Sequence, residues 1–339
     1  MDLITQGAVG AALTLATRTR SQVAVAAGIG FIAGTVPDLD VLIRDQNDTL
    51  QFLEFHRHFS HSLIFIPIGS AFVAVLLYGL LRGRLGISFF KIWLFSALGF
   101  GTHGLLDTAT SYGTLLLWPF DDTRYSFSII SIVDPLFTLP VIALVCIGII
   151  RKNGSWGRVA TIWALIYLLI GTWQNQTALR AAQALADKRG HQAVRLTVKP
   201  TFANIILWRS IYEAEGRFYV DAIRPGPWAT IINGTSVAKL DNDRDFPWLI
   251  PNSTQATDIN RFKHVSQDYL AKAKDGSERI IDVRYAFIPT RISALWSIRL
   301  SRNAKPNEHA VYETDRAKAR EQIPILIRMI FSRSLNNGP

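Results

Sequence analysis

The chain has 339 residues, enough for two or three structural units. Hydrophobic residues make up 49% of it and the mean hydropathy is +0.20, values high for a water-soluble protein. The net charge of +10 is scattered, without a Lys/Arg block, which argues against nucleic acid and for attraction to an anionic membrane surface. The single Cys146 excludes an intrachain disulfide. Charge is also unevenly spread. Residues 1–174 carry 11 Lys and Arg against 10 Asp and Glu, whereas residues 175–339 carry 25 against 16. The pattern is that of an apolar membrane domain followed by a polar, basic, water-exposed one. The N-terminus has neither a basic leader nor a small-x-small cleavage site, so no removable signal peptide is expected.

Six apolar segments occupy the first half. Met1 to Ala16 and Gln22 to Val36 are rich in Ala and Gly. Each is shorter than the ~20 residues that cross hydrocarbon, which suits tilted or re-entrant helices packed through small residues. Ser62 to Leu81 and Ile87 to Leu106 are long enough to span. Ile129 to Ile150 is interrupted by Asp134-Pro135 and by Pro140. Val159 to Trp173 runs on as a helix through Asn175 to Lys188. Arg18 and Arg20, then Arg82 and Arg84, then Arg151, Lys152 and Arg158 fall at alternate connections, and the positive-inside rule places these in the cytoplasm. The connections Pro37 to His61 and Asp107 to Ser128 then face outward, with Met1-Asp2 and everything after Trp173. Beyond that point, alternating runs predict strands over Ala193 to Lys199, Phe218 to Ile223, Ala229 to Ile232, Arg279 to Phe287 and Ala294 to Leu300. Helices are expected over Thr257 to Lys274 and Ala317 to Arg333; the second either lies on a membrane or closes a small α+β core.

The chemistry-bearing residues gather on the outward connections. Phe55 to Ser62 packs three imidazoles, a guanidinium and two hydroxyls into eight residues, next to a membrane segment where charge is costly. Asp38-Leu39-Asp40 ends an apolar helix and reads alone as a helix stop. With His56 and His61 on the same connection it reads as a source of oxygen and nitrogen ligands for zinc, and carboxylates also bridge paired metals. His103 and Asp107, four apart on a helix, share one face; the alternative is a His–Asp hydrogen bond within the bundle. Three His and three carboxylates exceed one tetrahedral site and suit a two-metal centre. Arg57 either grips a phosphate or carboxylate through its fork or fixes Asp38 or Asp40. Ser60 and Ser62 also suit helix caps. There is no Gly-rich phosphate loop and no nucleophile elbow, and His191, His264 and His309 stand alone.

The sequence resembles a family of bacterial inner-membrane-associated, metal-dependent hydrolases whose relatives include a LexA-binding membrane protein. The matching pieces are Met1-Asp2-x-x-Thr5-Gln6, Pro37-Asp38-Leu39-Asp40, His56-Arg57-x-x-Ser60-His61-Ser62, His103-x-x-Leu106-Asp107-x-x-x-x-Tyr112-Gly113, Leu117-Trp118-Pro119-Phe120 and Val133-Asp134-Pro135-Leu136. The resemblance covers the first half and extends to Pro200-Thr201-x-x-Asn204-x-x-x-Trp208-Arg209. It implies a multi-pass helical domain in the inner membrane, with Asp38, Asp40, His56, His61, His103 and Asp107 at the metal positions. Many relatives carry His where this chain has Gln6. A distant similarity to zinc-dependent phospholipases C is also implied.

The expected fold is mainly α: a multi-pass transmembrane bundle over 1–174 and a smaller α+β domain over 175–339, on the outer side. The expected function is metal-dependent hydrolysis of a lipid or lipid-linked phosphoester at the membrane–water interface, with one or two divalent ions, zinc or manganese. Arg57 and Ser62 are assigned catalytic roles, and Gln6, Trp118 and Asp134 substrate contacts. Membrane lipids are the expected partners, with no nucleic acid. The alternative is a non-catalytic membrane anchor or interaction protein with a structural metal.

Overall fold

A computed structural model describes residues 1–18, 22–293, 295–315 and 319–332. Arg20, and the expected element ends Ala294, Ala317 and Arg333, lie outside them. The chain divides into two compact units. The first comprises 1–42, 55–172 and 202–204; the second comprises 43–54, 173–201 and 205–339.

The first unit is helical. Helix α1 (Leu3–Ala16) is capped by Asp2, whose carboxylate accepts from the Thr5 amide. Helix α2 (Val23–Thr35) passes directly into a 3-10 turn, Val36–Leu42. The expected stop at Pro37 is therefore a tightening of the helix, because proline is tolerated in a first turn that needs no N–H from it. This lengthens the apolar segment to Val23–Leu42, which is long enough to cross a membrane. A short helix α3 (Gln51–Phe55), of which all but Phe55 belongs to the second unit, and two 3-10 turns, Phe59–His61 and Leu63–Phe65, precede α4 (Ile66–Leu85). Then come α5 (Phe89–Thr108), α6 (Pro135–Ile150) and α7 (Ser155–Lys188), the last continuous through the predicted join at Trp173. Among the described residues, four helical segments are long and apolar enough to span: Val23–Leu42, Leu63–Leu80, Phe89–Thr108 and Ser155–Lys188.

Glycines set how closely these helices approach. A Cβ on Gly99 of α5 would stand 2.4 Å from the Gly30 carbonyl oxygen of α2, and one on Gly10 of α1 would be equally close to the same oxygen. Backbone therefore meets backbone across three helices, as small residues allow in a membrane bundle. Ile29, Ala33, Val73, Ala74, Ile92, Phe95 and Phe100 fill the core beside this contact. The Asp2 amide donates to Ile132 O at 3.0 Å, so the starts of α1 and α6 share one end of the bundle.

The second unit holds two four-stranded antiparallel sheets. One runs β1 (Arg195–Pro200), β2 (Trp208–Ala214), β3 (Arg217–Arg224) and β4 (Thr230–Ala238). After α8 (Asn242–Asp245) and α9 (Thr254–Val265), the other runs β5 (Leu270–Lys272), β6 (Arg279–Asp282), β7 (Trp296–Arg299) and β8 (Val311–Thr314). Helix α10 (Ala319–Phe331) closes the chain. Strand β2 has no alternating pattern because all seven of its residues are buried. The expected helix over Thr257 to Lys274 ends instead at Val265. Gln267 and Asp268 take positive φ there (53° and 59°) and turn the chain into β5. The expected strand from Arg279 stops at Asp282, whose carboxylate accepts from the amide and side chain of Arg284. His309 does not stand alone: it meets the buried Asp258, whose carboxylate also binds Arg261, and Arg261 grips Asp48 and Glu54 as well.

Candidate metal centre

Three of the four span-length segments have an end at one cluster of polar side chains: Val23–Leu42 finishes there, Leu63–Leu80 starts there and Phe89–Thr108 finishes there. The 3-10 turn supplies Asp38 and Asp40. The turn before α4 supplies His61. The last two turns of α5 supply His103 and Asp107, four apart and so on one face. All five are buried.

Four donor atoms converge. Asp38 Oδ1 lies 3.4 Å from both His61 Nε2 and His103 Nε2. Asp107 Oδ2 lies 3.3 Å from His61 Nε2 and 3.9 Å from His103 Nε2. The two Nε2 atoms are 2.9 Å apart. An ion with ligands at about 2.0–2.1 Å separates neighbouring donors by about 3 Å in an octahedron and about 3.4 Å in a tetrahedron. The cluster brackets those spacings, so its residues fit a divalent ion. One oxygen supports the fit: Gln6 Oε1, on the side chain that holds Asp107, is buried without a hydrogen-bond partner, a costly condition unless something cationic or protic meets it.

The groups behind the donors fix their aim. His103 Nδ1 lies 2.6 Å from the Gly34 carbonyl oxygen, which can only accept, so Nε2 presents its lone pair inward. Ser60 Oγ donates to Asp40 Oδ2 at 2.9 Å and sits 3.0 Å from His61 Nδ1. Asp40 also accepts from the Arg57 amide at 2.9 Å and contacts His56 Nδ1 at 2.8 Å. Arg57, held at φ +63°, places Nε 2.9 Å from Asp107 Oδ2 and donates from Nη1 to Thr110 Oγ1. Gln6 Nε2 donates to the other oxygen of Asp107 at 2.8 Å, and the Met1 α-amino group donates to that same oxygen.

Electrostatics follow from this arrangement. Burial is the largest influence on His61 and opposes its charge, but the carboxylates of Asp107, Asp38 and Asp40 outweigh it and push its pKa up to about 10. Burial likewise dominates at His56 and, helped by Arg57, holds it below the ordinary histidine range despite Asp40. A second donor group, Asp38, Asp40 and His56, shares Asp38 with the first. Asp40 and His56 already bond each other, and this group is the more accessible of the two.

The sequence-selected residues therefore divide. Asp38, His61, His103 and Asp107 form the centre, with Gln6 and Arg57 against Asp107 and Asp40 and His56 beside it. Ser62 is turned away, its hydroxyl donating to Phe59 O at 2.7 Å. Asp134 caps α6 and accepts from Tyr167 Oη at 2.9 Å. Trp118 packs on His58, ring centroids 5.3 Å apart. Thr110 and the Gly34 carbonyl escaped sequence reasoning. Sequence reasoning gives Ser60 only a cap's role, although its place between two His is a signal.

The fold and this cluster define a multi-pass membrane protein with a buried carboxylate–imidazole centre able to hold a metal ion. Residues 1–178 match the family model described as YdjM inner membrane protein, and the chain belongs to that family. It is 34% identical over 99 residues to the inner membrane protein YbcI of Escherichia coli (strain K12), a stretch covering 28% of this chain and 54% of that protein. The chain thus spans about half the length of that curated relative. No solved structure matches.

Proposed function

We propose that the chain is a metal-dependent hydrolase of the inner membrane that acts on a lipid or lipid-linked phosphoester at the membrane–water boundary. The convergence of Asp38 Oδ1, His61 Nε2, His103 Nε2 and Asp107 Oδ2 at the ends of three apolar segments carries this reading. When bound, a divalent ion of the zinc or manganese kind supplies Lewis acidity and activates water at neutral pH. The protein's own part is to hold the four donors, to anchor Asp107 through Arg57 and Gln6, and to orient His61 through Asp40 and Ser60. Asp38 and His56 are the least buried members, so substrate approaches from their side. Exposed apolar side chains on these connections and at the adjoining start of the Leu63–Leu80 segment (Leu39, Leu42, Leu63, Ile64 and Phe120) suit a substrate presented by lipid. The positive-inside rule supports an outward centre and C-terminal domain. A reporter fused after Pro339 tests that placement: alkaline-phosphatase activity supports it, green fluorescence overturns it.

A structural ion is the second reading, favoured by one observation: four buried protein donors make a closed set of the kind structural zinc uses. A panel of phospholipid and lipid-diphosphate esters, with wild type beside His61→Ala, separates the two. Turnover of at least one ester by metal-loaded wild type, lost in the variant, supports hydrolysis. No turnover by fully loaded protein supports the structural ion.

A further inference from the structure

Helix α10 has two apolar faces, and only one is covered. Leu326 and Met329 are buried against Leu207, Ala222 and Ile288 of the second unit. The adjoining face carries Ile323, Ile327 and Phe331 at spacings of four residues, all exposed, Phe331 by 71%. A helix that merely closed a core would turn polar residues outward on that side. Arg320 and Arg328 flank the stripe and are exposed. In sequence, 316–333 holds Arg316, Lys318, Arg320, Arg328 and Arg333 against one acidic residue, Glu321.

A second element adds to this surface. Arg224, at the end of β3, donates from Nη1 to Ser332 O at 2.7 Å, tying that strand end to the C-terminus of α10. Four residues further on, the Pro225-Gly226-Pro227 turn presents Trp228, which is 91% exposed. An indole held in water by the turn that follows a strand end tied to α10, together with an apolar helical stripe with arginines at its margins, has the makeup of an interfacial membrane anchor.

We infer that α10 and the Trp228 turn dock the second unit on the anionic surface of the bilayer that holds the same chain. Charge complementarity selects this occupant. The stripe's own margins are cationic, and residues 175–339 carry 25 basic against 16 acidic side chains, so an anionic lipid surface attracts what an unlike protein would have to match residue by residue. The inference is independent of any ion at the metal centre.

The test uses the full chain in a Cys146→Ser background, reconstituted into nanodiscs of phosphatidylcholine alone or with phosphatidylglycerol. An environment-sensitive fluorophore is attached at Ile327→Cys, at Trp228→Cys, or at Asp275→Cys, a control in an exposed turn. Docking predicts that spin-labelled lipid quenches the Ile327 and Trp228 probes at least threefold more than the Asp275 probe. The difference should grow with phosphatidylglycerol and collapse when Ile323→Glu is added to either. Equal quenching at all three sites overturns the inference. So does oxidative cross-linking between Ile327→Cys copies with no lipid quenching, which would assign the stripe to a second copy of the chain.

Discussion

The Nε2 atoms of His61 and His103 face each other across 2.9 Å. His103 gives its Nδ1 hydrogen to the Gly34 carbonyl, while His61 Nε2 also faces the carboxylates of Asp38 and Asp107, and a proton is held there. Three carboxylates favour it there and hold the His61 pKa at about 10. A metal ion taken up at this centre would therefore have to displace the proton on His61.

Metal uptake should therefore release that proton. Between pH 6 and 9 the ion-free protein keeps His61 charged, so apparent affinity rises about tenfold per pH unit. Equilibrium dialysis against zinc or manganese in buffered detergent reads this slope, and a flat profile contradicts the exchange. The sign for the ion-free fold is opposite. A pKa raised from 6.5 to about 10 contributes stability below pH 6.5 that is lost as pH rises through 10.

Arg57→Ala leaves the buried Asp107 carboxylate without its guanidinium. Breaking such a pair costs about 3–5 kcal/mol, and the loss should shrink by more than half when the centre is saturated with ion. Thermal unfolding with and without metal measures both. Equal losses in the two conditions would mean that Arg57 supports the fold without serving the centre. Arg57→Lys should fall between, because an ammonium cannot meet Asp107 and Thr110 from one fork.

Gly99→Ala changes no ligand, yet its Cβ would stand 2.4 Å from the Gly30 carbonyl oxygen and force α5 from α2. His103 lies one helical turn further along. The expected loss is about 1–3 kcal/mol in stability, with metal affinity at least tenfold weaker. Gly28→Ala, which meets nothing within 4 Å, is the control and should be neutral or slightly stabilising. Dialysis of both variants decides it; an unchanged affinity for Gly99→Ala would uncouple the glycine contact from the site.

Lys199, buried on β1, has its pKa pulled down to about 7 by burial and by Arg284, against the pull of Asp282. The unfolded chain, with lysine near 10.5, then binds more protons than the folded chain between pH 7 and 10.5, so stability of the second unit rises over that window. The gain is on the order of a few kcal/mol. Lys199→Met should remove the slope and raise stability below pH 7. A denaturant titration series across pH checks it, and an unchanged slope would place the effect elsewhere.

Much of the centre was legible because its ligand types are rare beside apolar runs, and because His103 and Asp107 lie four apart in an unmistakable helix. The division of labour was not. Asp38 and Asp40 differ only in which way a 3-10 turn points them. Ser62 looked like Ser60 until the turn before α4 aimed one hydroxyl at His61 and the other at Phe59 O. The Gly34 carbonyl that orients His103 is main chain and leaves no residue signature. In the fold, apolar runs announced the bundle. Strand β2 stayed hidden because burial of both its faces erased the period-two pattern, and the helix predicted through Lys274 failed where Gln267 and Asp268 turn left-handed.

The most direct measurement is metal content by mass spectrometry on detergent-purified protein, wild type beside the Asp38→Ala/His103→Ala double variant. The account predicts at least one zinc or manganese ion per wild-type chain and none in the variant. Equal content in both, or no ion in wild type after incubation with either metal, would contradict it and leave the buried cluster a proton-bridged packing motif.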